Sequence, residues 1–184
     1  DIDGDCVITT SDRTVIGNGI PKWYGGITNT FKYREFDLSF MLQFNYGNDI
    51  YNATRLFATQ SQDERSNQLA EVADRWTPTH ASNKVPSAKG YVKNELYSRF
   101  IEDGSFLRLK NVVLGYTIPN KWTKKAYISR LRVYASAQNL FCISGYSGYD
   151  PEVSTASSNP MTPGLDWGAY PKSRIFTFGL EVQF

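Results

Sequence analysis

The sequence predicts an all-β protein whose strands form part of a transmembrane β-barrel. Three observations carry this prediction: apolar and polar residues alternate along several segments, each segment has at least eleven residues, and short and long connections alternate between them. Soluble strands usually have about 5 or 6 residues, whereas a tilted strand needs about 9 to 11 to cross a bilayer. Outer-membrane barrels also combine short periplasmic turns with long extracellular loops.

Alternation with a period of two locates the strands. Between residues 36 and 46 every even-numbered position is apolar or aromatic, and the odd-numbered positions are polar except Met41. Residues 176–184 repeat the pattern, and Arg34-Glu35 is predicted to form a tight hairpin turn. Such alternation is typical of a strand with one apolar face. The sequence predicts five antiparallel strands, at about residues 23–33, 36–46, 105–117, 130–141 and 174–184.

The strand predicted at 105–117 does not alternate cleanly. Arg108 and Lys110 indicate that its even-numbered side chains face water, yet Leu114 and Tyr116 lie on the same side. Aromatic residues gather at the predicted strand ends, as the interfacial girdles of a membrane barrel require. They are Tyr33, Phe36, Tyr116, Trp122 and Phe184 on the periplasmic side, and Trp23, Tyr46, Phe106 and Phe141 on the outer side.

Five strands are too few to close a barrel. The smallest membrane barrels have about eight strands, and an open edge in lipid leaves backbone groups without hydrogen bonds. We therefore expect residues 1–184 to be the C-terminal part of a larger barrel, with residues 1–22, 47–104 and 142–173 outside the cell. The alternative is a soluble or surface-attached β-sandwich that binds glycans.

The longest predicted loop carries a helical pattern. Leu69, Val72, Ala73 and Trp76 are spaced at i, i+3, i+4 and i+7, which predicts a short helix in the C-terminal half of residues 53–76. Its simplest role is to cover a small core of the loop itself. A lid that faces the substrate is the other interpretation.

Composition excludes several classes of function. The chain has 20 Lys and Arg against 18 Asp and Glu, so no basic surface indicates nucleic-acid binding. No run reaches the roughly 18 apolar residues of a membrane-spanning helix. His80 is the only histidine, and Cys6 and Cys142 lie far apart in the sequence, which removes most zinc sites and catalytic triads. Whether the two cysteines form a disulfide stays open.

Carboxylate pairs do not make the chain an enzyme. Glu102-Asp103 and the pair Asp150 and Glu152 could in principle flank a glycosidic bond. Acids paired in loops are more often solvated turn residues, and no nucleophile has a histidine partner. We therefore expect no catalytic residues.

Aromatic residues in the last long loop are candidates for binding a sugar. Tyr146, Tyr149, Trp167 and Tyr170 offer flat faces against which sugar rings can pack. Asp150 and Asp166 lie close by in the sequence as hydrogen-bond acceptors. The same aromatic residues could instead anchor the loop at an interface.

An acidic segment at the start of the chain is a candidate Ca²⁺ site. Asp1, Asp3, Asp5 and Asp12 occupy the first, third, fifth and twelfth positions, and oxygen ligands at alternating positions wrap a hard cation. Cys6 stands where such loops need glycine for a sharp turn, and the closing residue is Asp rather than Glu. The alternative is a solvated acidic turn.

Several long blocks resemble one family in the right order. The chain resembles the C-terminal portion of SusC/RagA-type TonB-linked outer-membrane proteins. The blocks are DRTVIGN (12–18), PKWYGG (21–26), FDLSFMLQFNYGNDIYN (36–52), RFIEDGSFLRLKNVVLGYTIP (99–119), LRVYASAQNLF (131–141), GYDPE (148–152) and TPGLDWGAYPKSRIFTFGLEVQF (162–184).

The resemblance implies a transporter in the Gram-negative outer membrane. It implies a 22-stranded barrel that is closed by an N-terminal plug, energised through TonB and covered by a SusD-like lipoprotein, and that imports glycans or, in some members, peptides. The plug and signal peptide are expected to lie outside this sequence, and no cofactor is required. Members often carry an acidic D-x-N-G-D-G-like loop, which supports Ca²⁺ binding by the acidic segment at the start of the chain. The barrel-assembly machinery is expected to read the terminal strand, through Phe176, Phe178, Leu180, Val182 and Phe184.

Overall fold

The computed structural model describes residues 2, 4, 6, 9–59, 67–88, 96–152, 154–155 and 161–184. The strands are β1 (Trp23–Tyr33), β2 (Phe36–Tyr46), β3 (Asp49–Asn52), β4 (Ile101–Asp103), β5 (Phe106–Ile118), β6 (Arg130–Ser144), β7 (Leu165–Asp166) and β8 (Ile175–Gln183). The helices are α1 (Ala53–Thr59) and α2 (Asn120–Thr123), with 3-10 turns at Thr10–Asp12, Ala70–Asp74, Ser98–Phe100 and Lys124–Ala126. In the described ranges no helix has the length and apolar character needed to cross a bilayer.

The long strands form one antiparallel sheet in the order β1-β2-β5-β6-β8. Each long strand pairs with the next long strand along the chain, from the β1–β2 hairpin to the pairing of β6 with β8. The strands have 9 to 15 residues, and the longest is β6, which continues to Ser144. The predicted all-β fold with five long antiparallel strands is confirmed.

Strand register sorts the side chains of this sheet onto two faces. Residues directly opposite each other in an antiparallel pair lie on the same face. Leu38 opposes Phe31 and Leu114, and the same row continues through Ala135 to Phe178. The apolar face formed in this way includes Ile27, Phe36, Phe40, Leu42, Val112, Tyr116, Val133, Phe176, Leu180 and Val182. The polar face carries Asp37, Ser39, Gln43, Arg132 and Glu181.

A β-bulge at Lys110 explains the mixed pattern of β5. Met41 and Leu42 are consecutive in β2, yet they oppose Asn111 and Leu109, so Lys110 is an extra residue in β5. A bulge of this kind shifts the alternation by one position. The apolar face therefore takes odd-numbered residues before the bulge and even-numbered ones after it: Leu107, Leu109, Val112, Leu114 and Tyr116.

The two ends of the sheet carry very different connections. Arg34-Glu35 and residues 119–129 lie at one end, which we call the short-turn end. Residues 47–105 and 145–174 connect strands at the opposite, long-loop end. The lengths of these connections alternate as the sequence predicts, and the antiparallel pairing places all long segments together.

A second, three-stranded sheet lies at the long-loop end. β3 pairs antiparallel with β4 and parallel with β7. Gly164 precedes β7 with a φ of 79°, and a Cβ there would come within 2.6 Å of the Asp49 carbonyl oxygen. We call the described residues of the two long connections the loop platform. Its buried apolar side chains are Ile50, Ala53, Leu56, Val72, Val85, Phe100 and Tyr146.

The helix predicted in the C-terminal half of residues 53–76 is wrong. The α-helix is instead α1, at the start of that range, and Ala70–Asp74 forms a 3-10 turn. Val72 is buried, but Leu69 and Trp76 are exposed, so the four residues do not share a buried helical face. The chain leaves the turn at Arg75 in an extended conformation, and the Trp76 amide donates to the Val85 carbonyl (2.9 Å).

Phe106 also differs from its predicted place in the outer aromatic girdle. It opposes Asn45 and Ser144, which puts it on the polar face, where it is buried. The reason is the bulge at Lys110, which reverses the phase of this end of β5. Trp23 and Tyr46 do oppose each other on the apolar face, at the long-loop end of the sheet.

Candidate functional site

The loop platform contains a cavity of about 540 Å³. It lies between α1, the 3-10 turn at Ala70–Asp74 and the loop that follows β6. Its walls combine apolar side chains with hydrogen-bonding groups: Asn52, Thr54, Arg55, Ala58, Leu69, Ala70, Glu71, Ser147, Gly148, Tyr149 and Asp166. Small-molecule sites commonly have this mixture of apolar walls and a few placed polar groups.

Arg55 forms the charged wall of this cavity. Its Nε and Nη2 atoms donate to Glu71 Oε1 and Oε2, at 2.9 and 2.8 Å, and its Nη1 donates to Glu102 Oε1 at 3.2 Å. Two parallel bonds of this kind fix the planes of both groups. Hydrogen bonding to Arg55 lowers the pKa of Glu71 and raises the pKa of Arg55 itself.

Glu102 connects the small sheet to the loop after β6. Its carboxylate accepts hydrogen bonds from the Ser147 amide (2.9 Å), the Ser147 hydroxyl (2.8 Å) and Asn52 Nδ2 (3.1 Å). Burial raises the pKa of Glu102, but these hydrogen bonds and Arg55 outweigh burial, so the pKa lies below its ordinary value. Glu102 is therefore a charged structural acceptor rather than a solvated turn residue.

The four aromatic residues predicted to bind a sugar occupy different environments. Tyr146 is buried, and its hydroxyl donates to Asp166 Oδ2 at 2.6 Å. Burial, followed by this contact with a carboxylate, raises the pKa of Tyr146. Tyr149 lines the cavity with 77% of its surface exposed. Trp167 packs on Phe57 with ring centroids 4.4 Å apart, while Tyr170 is exposed and is not part of the cavity wall.

An ion cluster joins the GYDPE block to β5. Arg108 on the polar face of β5 pairs with Asp150, and both side chains are almost fully buried. Lys110 and Lys172 contact Glu152 at 2.8 and 2.7 Å. Burial opposes the charge of Glu152, but the two lysines lower its pKa overall. Asp150 and Glu152, which follow Tyr149 in the GYDPE block, are thus tied to β5.

Sequence reasoning missed this cluster because it treated Asp150 and Glu152 as solvated acids. The signal was present in the conflicting phase of β5, where two cations occur within a largely apolar strand. The bulge brings Arg108 to the polar face and lets Lys110 reach Glu152. Buried charges in proteins are normally paired, so Arg108 required a nearby acid.

A smaller cavity, of about 300 Å³, lies at the short-turn end. Its lining is strongly charged: Lys32, Arg34, Glu35, Asp37, Arg130 and Arg132 contribute, together with Phe36 and Thr117. Arg132 Nε donates to Asp37 Oδ1 at 2.9 Å, and Arg132 Nη1 lies 3.7 Å from Glu181. Polar-face residues of three strands thus form one ion network.

Most of the acidic segment predicted to bind Ca²⁺ lies outside the described residues, namely Asp1, Asp3 and Asp5. Asp12 accepts the Ile2 amide on Oδ1 (2.6 Å) and the Thr9 amide on Oδ2 (2.7 Å), as part of a capping box. Both carboxylate oxygens therefore serve the backbone turn. Where the structure describes the chain, no three His, Cys, Asp or Glu residues gather as metal ligands. No disulfide joins Cys6 to Cys142.

The terminal strand lies at one edge of the long sheet. Phe176, Phe178, Leu180 and Val182 of β8 alternate on the apolar face, opposite Ala137, Ala135, Val133 and Leu131 of β6. Phe184 follows the strand and is exposed.

Comparison with known proteins identifies the family. No family model matches the sequence. The whole chain aligns with 18% of TonB-dependent receptor P3 from Formosa agariphila at 35% identity, and with 17% of the TonB-dependent receptor SusC from Bacteroides thetaiotaomicron at 31% identity. The chain belongs to the SusC/RagA family of TonB-dependent receptors. It spans less than a fifth of the length of these two relatives.

Solved structures of the SusC/RagA type show the same fold. The RagAB peptide importer in its open-open state matches 96% of this chain and 19% of the importer chain, with a TM-score of 0.76 and 24% identity. The closed-closed state gives a TM-score of 0.78 at 23% identity, again over 96% of this chain and 19% of the other. The five-stranded sheet therefore has the fold of a section of a transmembrane β-barrel wall.

Proposed function

We propose that this chain is the C-terminal wall section of a TonB-dependent transporter that imports oligosaccharides across the Gram-negative outer membrane. A SusD-like lipoprotein covers its long-loop end, and TonB acts through the plug of the full-length receptor. The observation that carries the proposal is the division of the long sheet into an exposed apolar face and an ion-paired polar face. Family membership supplies the transport chemistry.

The apolar face is suited to contact with lipid. Phe178 is 81% exposed, and Phe31 and Leu180 on the same face are also exposed. A large apolar patch of this kind on a soluble protein would drive association. A β-sandwich, the alternative from the sequence, would pack this face against a second sheet. The polar face, with its Asp37–Arg132 pair, is suited to a barrel lumen filled by protein and water.

The cavity of the loop platform supports a neutral, polar substrate. Tyr149 presents a flat ring at its rim, and Asn52, Thr54 and Ser147 provide hydrogen-bonding groups in its wall. Arg55 and Glu71 neutralise each other, which leaves the Asp166 carboxylate, an acceptor of the Tyr146 hydroxyl, as a further hydrogen-bond acceptor in the wall. These features favour a sugar ring, which packs on an aromatic face and exchanges hydrogen bonds at its edge.

Catalysis is not part of the proposal. The two carboxylates of the cavity wall are engaged, Glu71 by Arg55 and Asp166 by Tyr146. Glu102 close by is held by Arg55 and Ser147. Neither Glu71 nor Glu102 has a raised pKa, as a general acid for glycoside hydrolysis would require.

Matched aromatic variants of the full-length receptor test the substrate assignment. Tyr149→Ala removes the ring at the cavity and should weaken oligosaccharide binding by about threefold to tenfold, the usual worth of one aromatic contact. Tyr170→Ala is the control, because Tyr170 is also largely exposed but lies outside the cavity wall. Titration with oligosaccharides and, separately, with a peptide mixture gives the affinities.

Three results would count against the proposal. Equal losses in the two variants would remove the cavity from the binding site. Binding of peptides without oligosaccharides would assign the receptor to the peptide-importing type represented by RagAB. Uptake that persists in cells without TonB would contradict the transport mechanism itself.

A further inference from the structure

We infer that the turn at residues 119–129 binds the headgroups of anionic phospholipids in the leaflet that faces the short-turn end. We call this segment the cationic turn. The inference goes beyond the proposed transport function and rests on its membrane placement. It starts from the sequence of the turn, PNKWTKKAYIS, which contains Lys121, Lys124 and Lys125 and no acidic residue.

Charge is unevenly distributed between the two ends of the chain. The short-turn end, comprising residues 32–37, 116–132 and 181–184, has seven Lys and Arg against three Asp and Glu. Residues 1–22, 47–105 and 145–174, which precede or connect strands at the long-loop end, have fifteen Asp and Glu against eleven Lys and Arg. The short-turn end is therefore positively charged, although the net charge of the whole chain is only +2.

The lysines of the cationic turn are available to a ligand. Lys124 and Lys125 are exposed, and neither forms an ion pair with a described residue. Arg132 on the neighbouring strand, by contrast, is paired with Asp37, and Arg130 lies 3.7 Å from Glu181. The cations of the sheet are thus largely compensated, whereas those of the turn are not.

The cationic turn lies just beyond the edge of the apolar face. Phe36 and Tyr116 form the last aromatic pair of that face, with ring centroids 4.6 Å apart, and the turn begins three residues after Tyr116. Trp122 is 64% exposed and Tyr127 is 89% exposed. Tryptophan and tyrosine favour the headgroup region of a bilayer, and lysine extends its charge to the same level.

The turn is folded into a fixed shape. The Trp122 amide donates to the Pro119 carbonyl (3.0 Å), the Tyr127 amide to the Lys124 carbonyl (3.1 Å) and the Ile128 amide to the Thr123 carbonyl (3.4 Å). Lys121 Nζ lies 5.6 Å from the centre of the Trp122 ring. The β1–β2 connection at the same end needs only Arg34-Glu35, so eleven residues exceed what joining two strands requires.

Anionic phospholipid is the occupant that fits both the charge and the position. Unpaired lysines near a membrane surface attract acidic headgroups, by about fivefold in affinity for each residue at low salt. The acyl chains of the same lipid continue onto the apolar face, so one molecule contacts both surfaces. An acidic protein segment would match the positive charge of the turn but not its position beside the apolar face.

A charge-matched pair of variants of the full-length receptor tests the inference. The receptor is placed in nanodiscs of phosphatidylethanolamine with or without phosphatidylglycerol, and the phosphatidylglycerol retained after partial delipidation is counted by native mass spectrometry. Lys124→Gln with Lys125→Gln should reduce retention by at least about fivefold, and the wild-type preference should weaken at high salt. Arg75→Gln with Lys84→Gln, which removes two cations of the loop platform, should leave retention unchanged.

The possible outcomes separate this inference from the proposed function. Failure of the wild type to enter nanodiscs would contradict the membrane placement and therefore both. Entry with equal phosphatidylglycerol retention in the two double variants would overturn only the lipid site. Binding of soluble polyglutamate without a preference for phosphatidylglycerol would also overturn it and would assign the turn to an acidic protein partner.

Discussion

The five-stranded sheet and the loop platform distribute their apolar side chains in opposite ways. The platform buries Ile50, Leu56 and Phe100 in a core of its own. The sheet instead exposes Phe31, Phe178 and Leu180 and buries few apolar side chains, such as Phe106 and Ala137. Both regions follow the same rule, that apolar surface avoids water, but only the platform satisfies that rule with its own residues.

One chain can therefore fold with part of its apolar surface buried in its own core and another part facing lipid. The platform buries its apolar side chains as a water-soluble protein does, and it contains a small sheet, a helix and internal ion pairs. The sheet obtains the burial of its apolar face from a surrounding bilayer and pairs its charges on the opposite side.

Removing a buried ring from the platform should have the largest effect. Phe100 has no exposed surface, so Phe100→Ala should cost about 3 to 5 kcal/mol through lost burial and a cavity. Hydrogen exchange should show the platform opening while the barrel remains heat-modifiable. Phe178→Ala is the counterpart in the sheet, where acyl chains fill the vacated space and no cavity remains. Opening of the platform in Phe178→Ala would contradict the separation of the two cores.

A charge placed on each face of the sheet should distinguish lipid from lumen. Phe40→Lys on the apolar face should cost about 2 to 4 kcal/mol near the bilayer midplane, and Ser39→Lys on the polar face far less. Urea unfolding of the full-length receptor in vesicles measures both. Equal tolerance at the two positions would favour a sandwich or a register shifted by one residue.

Acid should loosen the platform. The folded state lowers the pKa of Glu71 and Glu102 below the ordinary value of 4.5, so their stabilisation is present above pH 4.5 and is lost as the pH falls through the folded values. Hydrogen exchange around Arg55 should therefore accelerate in acid. Glu71→Gln should remove part of this pH dependence, and an unchanged profile would show that the Arg55 pair does not control opening.

Removal of calcium should have the smallest and most local effect. If Asp1, Asp3, Asp5 and Asp12 hold Ca²⁺, chelation should reduce protection in residues 1–20 and leave the barrel intact. The affinity should be weak, in the range of about 10⁻⁴ to 10⁻³ M, because Cys6 replaces the turn glycine. Unchanged protection at millimolar Ca²⁺ would leave a capped acidic turn, which is the role that Asp12 already has.

The long strands could be predicted because a period of two is a local property of the sequence. Residues 36–46 show it without reference to any other part of the chain, and the structure places those side chains on the two faces accordingly. The bulge at Lys110 was visible only as a contradiction between Arg108 and Leu114. Locating it requires the partner strand, since a bulge is defined by what two strands oppose.

The site could not be predicted to the same extent because its contacts are distant in sequence and its elements are short. β3 has four residues and pairs with β4 about fifty residues later, while β7 has only two residues. Segments of this length cannot display a period. The pairing of Arg108 with Asp150 likewise depends on the loop returning over β5, which no local pattern encodes.

Measuring whether lipid or water surrounds each face of β2 tests the barrel-wall assignment most directly. Single cysteines at residues 38 to 43, in a background with Cys6 and Cys142 changed to Ser, can be spin-labelled in the full-length receptor in liposomes. Collision rates with oxygen and with a water-soluble nickel complex then report the surroundings of each position. We expect collision rates typical of lipid at Leu38, Phe40 and Leu42. We expect no such rates at Ser39 and Gln43. Water-like or buried values at both sets of positions would contradict the assignment of this sheet to a barrel wall.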